Sequence, residues 1–311
     1  MRVTLVHNPN SGDDDHERDY LIGMISRAGH RVAYHTSKEP WLAALDPMPD
    51  LIAVAGGDGT VAKVVRAVAN RSIPVTILPM GTANNVAGWL GLSGIPFDEL
   101  VAGWSAGKLQ PFDMGIARGP WGMHRFLESV GFGVLAGLMD EIDSGSSTHV
   151  NELDSREARV AAALGVLESL LGKAAPVRCE LTLDDVVFAG DYLLVEVLNF
   201  GAAGPNLHLA PTADGADGML DVVVIEAHER AWLEHHLAMV RAEPDSAPRL
   251  PVHHARRVTI RCQRCLVHVD DELWSGKEEG RFTVEAFVES AALRFLVPPV
   301  AQHVVGHSRS A

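Results

Sequence analysis

The sequence predicts two domains, an α/β domain on a parallel sheet followed by a mainly antiparallel β domain. Three observations predict this order. The first hundred residues alternate apolar, β-branched runs with helix-periodic stretches. From about Lys108 short alternating segments separated by turn residues take over. Three polar, glycine-bearing loops also fall directly after strands of the first region, where α/β sheets bind ligands.

In the first region RVTLVHN reads as a strand, HERDYLIGMISRAG as a helix and RVAYHT as a second strand. A short helical piece spans Trp41 to Leu45, and LIAVAGG is a third, buried strand. The helix VAKVVRAVAN, the strand IPVTILP and the helical stretch TANNVAGWLGL complete the set. Strands separated by helices make a parallel sheet covered on both faces. In the second region RCELTLDDVVF, YLLVEVLNF, MLDVVVIEA, RVTIRC and CLVHVDDEL read as antiparallel strands. They are interrupted by the helix SREARVAAALGVLESLLGK, which Ser155 caps. The boundaries are 1–112 for the α/β domain, 113–298 for the β-rich domain and 299–311 for a loose polar tail.

Composition excludes several functions. At 311 residues and 47% apolar content the chain builds a sizeable core. A formal charge of -14, with no compensating basic stripe, argues against a nucleic-acid partner. It also gives no attraction to anionic lipid headgroups, so any membrane contact is transient or driven by apolar surface. No segment reaches the roughly 20 apolar residues of a membrane span, and MRVTLVHNPNSG reads as a strand and not as a signal peptide. A cytoplasmic location is the default expectation, and Cys179, Cys262 and Cys265 are expected to be reduced thiols.

The three loops carry the chemistry. In Gly56-Gly57-Asp58-Gly59-Thr60 the glycines remove side chains where a ligand approaches the backbone and allow positive φ. The helix that starts near Thr60 aims free N–H groups at the same spot. Asp58 would repel a bare phosphate but suits one bridged by Mg²⁺. The alternative is a tight turn in which Asp58 caps the helix. Gly81-Thr82 opens a second helix at the neighbouring strand end, within PMGTANN, which capping alone does not explain. In HNPNSG, Asn8 could bond a nucleotide or close an Asn-Pro turn. There is no GxxxxGK[ST], so this is not a P-loop; Lys63 and Arg66 read as solvent-facing.

The ordered set NPNSG at 8–12, GGDGT at 56–60, PMGTANNVAGWLGL at 79–92, DGMLDVVVI at 217–225 and VDDE at 269–272 resembles the diacylglycerol kinase catalytic-domain family, which includes bacterial lipid kinases and sphingosine kinases. GGDGT by itself is also similar to a motif of NAD kinases and phosphofructokinases. The resemblance implies a Rossmann-like N-terminal domain that binds ATP, a β-sandwich-like C-terminal domain, and transfer of the γ-phosphate to a hydroxyl of a diacylglycerol-like or sphingoid-like lipid. It implies ATP contacts from Asn8, Gly56, Gly57, Asp58, Gly59, Thr60, Gly81, Thr82 and Asn85. Asp270 matches the family's candidate base, with Glu272 beside it, and a structural Mg²⁺ points at Asp214 and Asp217, with Asp58 organising the nucleotide's Mg²⁺. The family's Asp-Gly-Glu is here Asp270-Asp271-Glu272, and its Gly-Thr-Gly-Asn-Asp is Gly81-Thr82-Ala83-Asn84-Asn85. Two other readings stay open: an NAD kinase-like enzyme, and a nucleotide- or lipid-binding regulator with weakened catalysis. The number of subunits also stays open, a homodimer included.

Other signals are set aside. GFGVLAG at 131–137 imitates a dinucleotide fingerprint but lacks a parallel βαβ setting. Cys262, Cys265 and His268 look like half a zinc site that lacks its other ligands. The pairs His235-His236 and His253-His254 are expected to face solvent, and no GxSxG elbow occurs.

Overall fold

The structure, a computed structural model, describes residues 1–12, 18–147, 150, 153–243, 246–263, 265–275 and 281–301. The chain divides into two compact units: Met1–Asp113 together with Ser290–Ala311, and Met114–Glu289.

The first unit contains β1 (Arg2–His7), α1 (Arg18–Arg27), β2 (Arg31–Thr36), β3 (Leu51–Gly56), α2 (Asp58–Val68), β4 (Val75–Pro79), α3 (Asn85–Trp89) and α4 (Phe97–Ala102). Its strands are parallel in the order β2-β1-β3-β4. The order reverses between β1 and β3, so the loops that follow these two strands flank the switch point. β3 is buried along all six residues, as expected of a strand covered on both faces. In α2 the valines Val61, Val64, Val65 and Val68 make one buried stripe. The piece Trp41–Ala44 is a 3₁₀ turn.

The second unit holds most of β5 (Lys108–Gly119), then β6 (Gly122–Phe126), β7 (Ser129–Gly133), α5 (Val134–Asp143), α6 (Arg156–Lys173), β8 (Val177–Leu183), β9 (Val186–Leu198), β10 (Leu220–Glu226), α7 (Arg230–Ala242), β11 (Val252–Ala255), β12 (Arg257–Gln263), β13 (Leu266–Val269) and β14 (Glu272–Ser275). The registered strand pairs among its described residues are antiparallel. β9 pairs β8 over its first half, and over its second half it lies between β7 and β10. Its side chains alternate between two cores. Val195 and Val197 join an apolar cluster with Phe126, Phe132, Leu181 and Ile260. Leu194 and Leu198 pack under the helices with Leu138, Leu167, Leu171 and Leu237. Ser155 Oγ accepts from Ala158 N at 3.1 Å, so the expected cap of α6 is present. The unit also has helices α5 and α7, which the sequence reading had not marked.

Four expectations need correction. The last strand, β15 (Arg281–Val297), does not end in the second unit. Its final residues return to the first sheet, where Phe295 pairs in parallel with Val75 and Thr76 Oγ1 donates to Leu296 O at 3.0 Å. The boundary expected at 298 is therefore at 289, because residue alternation marks a strand but not its partner. The tail expected from 299 begins with a helical turn that buries Ala301, and its remainder, 302–311, lies outside the described residues. Cys262 and Cys265 form a disulfide at the β12–β13 turn, so two of the three expected thiols are joined. Cys179 is a buried thiol whose pKa burial pushes up to about 12. Of the paired histidines His236 is buried, with its Nδ1 2.8 Å from Pro248 O. No helix among the described residues is long and apolar enough to cross a membrane.

Phe295 is fully buried and meets Phe112 edge-to-face at 5.3 Å. Phe295→Ala is expected to cost about 3–5 kcal/mol in urea unfolding. A loss below about 1 kcal/mol would show that the returning strand does not complete the first core.

Candidate functional site

In the first unit the turns after β3 and β4 touch backbone to backbone. A Cβ on Gly81 would lie 2.3 Å from Gly57 Cα, and a Cβ on Gly57 would lie 2.8 Å from Gly81 Cα. Gly56 is excluded from carrying a side chain by Thr60, whose Cβ would be 2.8 Å away. Among the described residues none of Gly56, Gly57, Gly59 or Gly81 has positive φ, so the glycines serve close approach and not left-handed backbone as expected. Asn84 holds the second turn: its Oδ1 accepts from Gly81 N and its Nδ2 donates to Gly81 O, both at 2.8 Å. Asn84 is itself left-handed at φ 51°. The sequence reading named Asn85, which is also buried, but missed this clip.

Asp58 answers the question raised by its glycine neighbours in an unforeseen way. It is the first residue of α2, whose N-cap is Gly57 without a side-chain bond. Its carboxylate reaches across to the neighbouring turn, where Oδ1 accepts from Val86 N at 3.2 Å. The amides of Asn84, Asn85 and Asp58 itself also bond it. Burial raises its pKa, and these amides oppose the rise without cancelling it. Four amide donors match the four lone-pair sites of a carboxylate. Metal ligation by Asp58 would therefore have to displace one of them.

Asn8 closes its own loop. Its Nδ2 donates to Ser11 Oγ at 2.8 Å and its Oδ1 accepts from Asn10 N at 3.2 Å, an Asx turn. Its backbone N–H bonds Ala55 O at 2.9 Å and ties this loop to β3 beside the Asp58 turn. Thr60 is buried in the first turn of α2, and Thr82 is half-buried. Lys63 is exposed, as expected, and its Nζ donates to Ser37 O just after β2. The first unit thus gathers Asn8, the Gly56–Thr60 turn and the Gly81–Asn85 turn at the carboxyl ends of β1, β3 and β4.

In the second unit Asp270 sits in the turn between β13 and β14 with φ 49°. The left-handed residue is thus the aspartate and not Asp271, which replaces the family's glycine. Asp270 Oδ1 accepts from the amides of Leu127, Glu128 and Ser129 at 3.0, 2.8 and 3.3 Å, and Oδ2 accepts from Leu127 N at 2.8 Å. The carboxylate is half-buried and aligned by a loop, which is neither a solvated hairpin acid nor a loose one. Glu272 Oε2 lies 3.9 Å from His124 Nδ1. Asp271 faces α5, where it helps raise the Asp143 pKa after burial, the larger cause.

Asp214 and Asp217 share one loop: Asp217 N bonds Asp214 O at 3.2 Å, and Asp217 Oδ1 accepts from Met219 N at 2.9 Å. The sequence reading missed the residue they act upon. Asp221, 1% exposed at the start of β10, lies 3.0 Å from His254 Nδ1. Burial raises its pKa to about 6, opposed by His254 and assisted by the charges of Asp217 and Asp214. Excess negative charge in a low-dielectric loop suits a hard cation. Among the described residues no three His, Cys, Asp or Glu side chains converge as metal ligands. Mg²⁺, which takes one or two carboxylates and keeps waters, still fits the Asp214–Asp217 loop. The clue in the sequence was an aspartate opening an otherwise apolar strand.

Comparisons with known proteins identify the family and the fold. Residues 2–117 match the family described as Diacylglycerol kinase catalytic domain, and residues 136–297 match the YegS C-terminal NAD kinase beta sandwich-like domain. The chain is 31% identical over 239 residues to a protein of Stenotrophomonas maltophilia named "Probable lipid kinase YegS-like", covering 72% of this chain and 73% of that one. It is 28% identical over 243 residues to the Diacylglycerol kinase of Bacillus subtilis, covering 72% and 74%. In fold it is similar to the crystal structure of a diacylglycerol kinase from Bacillus anthracis, with a TM-score of 0.71 at 19% identity, covering 96% of this chain and 97% of that one.

Two outcomes check the geometry. Gly81→Ala forces the two turns apart and is expected to cost about 1–3 kcal/mol, with weaker nucleotide binding by calorimetry; wild-type stability and binding would refute the contact. Asp221 has a folded pKa of about 6 against a reference of 3.8. Its protonation therefore favours folding below the reference value, and this contribution is lost as pH rises through the folded value. Asp221→Asn is expected to raise stability near neutral pH without divalent cations by about 1–3 kcal/mol, with little gain in acid. A destabilised variant at neutral pH would reverse that sign.

Proposed function

From the premise that the chain belongs to the diacylglycerol kinase and YegS-like lipid kinase family, we propose that it transfers the γ-phosphate of ATP to a hydroxyl of an apolar, diacylglycerol-like or sphingoid-like acceptor. One observation carries the reading: two Gly-Thr turns lie backbone to backbone beside the switch point of a parallel sheet, with Asp58 fastening one to the other. Phosphoryl transfer asks mainly for positioning and charge stabilisation. The turns supply both, since they fix N–H donors at the start of α2 and keep side chains away from the phosphates.

The roles divide as follows. Gly56, Gly57, Gly59, Thr60, Gly81 and Thr82 seat the triphosphate, and the Asn8 loop borders it. Asp58 and Asn85 keep the two turns in register. Asp270, aligned by the amides of residues 127–129, accepts the proton of the acceptor hydroxyl, with Glu272 beside it. Mg²⁺ supplies charge neutralisation of the phosphates when bound, and Asp214 and Asp217 would hold a structural Mg²⁺. Contact with a membrane would be transient and apolar, in keeping with the charge of -14.

A second reading, a nucleotide- or lipid-binding regulator, draws on the four amide contacts that occupy the Asp270 carboxylate and on the Asp271 and Asn85 replacements. Label transfer from Mg-ATP to a panel of extracted lipids separates the two. The kinase reading expects transfer that falls by about 10²–10⁴ in Asp270→Asn and is abolished in Asp58→Ala, with both variants folded. Tight Mg-ATP binding without transfer to any acceptor supports the regulator, and no binding at about millimolar nucleotide removes both.

A further inference from the structure

Two strands of the second unit carry a charged side chain where the sheet is otherwise apolar. Glu196 in β9 is 0% exposed and His268 in β13 is 2% exposed. The two strands are not neighbours, because β7 runs between them. The register places Gly131 of β7 opposite both residues. A Cβ at Gly131 would lie 2.3 Å from Glu196 Oε2, so the missing side chain lets the carboxylate lie across the middle strand. There Glu196 Oε1 meets His268 Nε2 at 2.5 Å.

The pair extends to the Asp270 turn by two routes. Ser129 Oγ donates to the same Glu196 Oε1 at 3.0 Å, and Ser129 N faces Asp270 Oδ1. On the other side His268 Nδ1 lies 3.1 Å from the carbonyl oxygen of Asp270. Both ring nitrogens therefore face acceptors, and only the imidazolium has two N–H groups to give them. Burial lowers the His268 pKa, but Glu196 and Asp270 raise it by more. Other charged groups near β13 have other neighbours: Asp143 on α5 feels the charges of Asp271 and Asp140, and Glu272 on β14 lies 3.9 Å from His124.

A buried ion pair is a poor way to stabilise a sheet, since apolar residues of similar volume often do as well or better. What an apolar couple cannot do is grip both sides of one turn. Asp270 sits at φ 49°, its N–H bonds Ser129 O at 2.9 Å, and its carboxylate is set against the amides of residues 127–129. Glu196 fastens the Ser129 side directly and the Asp270 side through His268. We propose that Glu196 and His268, spaced by Gly131, are positioning residues that fix the Asp270 carboxylate; this rests on the reading of Asp270 as the proton acceptor.

The test compares wild type with Asp270→Asn, Glu196→Gln, His268→Gln and Ser129→Ala. It reads phosphoryl transfer from Mg-ATP to dioleoylglycerol in detergent micelles over about pH 6 to 10, and amide hydrogen exchange at residues 127–129. The expected result for Glu196→Gln and His268→Gln is a kcat lower by about 10–100-fold, a nucleotide KM within about twofold and exchange at residues 127–129 faster by about tenfold. Wild-type kcat is expected to fall as pH rises through the raised His268 pKa, and His268→Gln to lack that limb. Folded variants with wild-type kcat, pH profile and exchange overturn the proposal, even when Asp270→Asn is inactive. An active Asp270→Asn overturns the base reading alone, and faster exchange then still supports the clamp. Where the acceptor is not turned over, or the two larger changes prevent folding, exchange in the milder Ser129→Ala decides: faster supports the clamp, unchanged refutes it.

Discussion

The first unit depends on the carboxylate of Asp58. Two strand-to-helix turns converge at the carboxyl ends of β3 and β4, and each would repel the other as a pair of helix N-termini with unsatisfied amides. A single anion placed between them turns that repulsion into cohesion. Its neighbours must then be glycines, because Gly57 and Gly81 touch through their backbones. On the proposed reading, the remaining amides of the first turn of α2 serve the triphosphate. If that reading holds, the ligand meets donors whose placement was settled during folding, so little reorganisation remains at binding.

The second unit uses the same device on a different scaffold. Asp270 is an anion held by consecutive amides, those of Leu127, Glu128 and Ser129. The difference lies in support. Asp58 stands on a helix that packs on buried valines, whereas Asp270 occupies a left-handed turn between two four-residue strands. A short turn with strained φ needs bracing from elsewhere. The buried Glu196–His268 contact is where that bracing is found.

Much of this was legible in the residues. The four parallel strands announced themselves as short β-branched runs, and the ordered glycine motifs located the rim and the family. What could not be read were contacts that cross the sheet. The bonds from Asp58 to the amides of residues 84–86 join two turns whose adjacency follows from strand order, and a single sequence does not state strand order. The replacement at Asp271, where the family has glycine, gave no sign that the left-handed residue is Asp270, one position earlier. Glu196 did leave a signal, as the lone charged letter inside YLLVEVLNF, and His268 as the one polar letter among the apolar residues of LVHV; His268 was first considered beside two cysteines that instead bond each other.

The return of β15 to the first sheet has a consequence for biosynthesis. A nascent chain emerging from the ribosome exposes β4 as an open edge until its partner around Phe295 has been made, after the whole second unit. The strand that closes the first domain begun is translated only after the second, so a message interrupted before it yields a fragment with an adhesive flank and not a half-working protein.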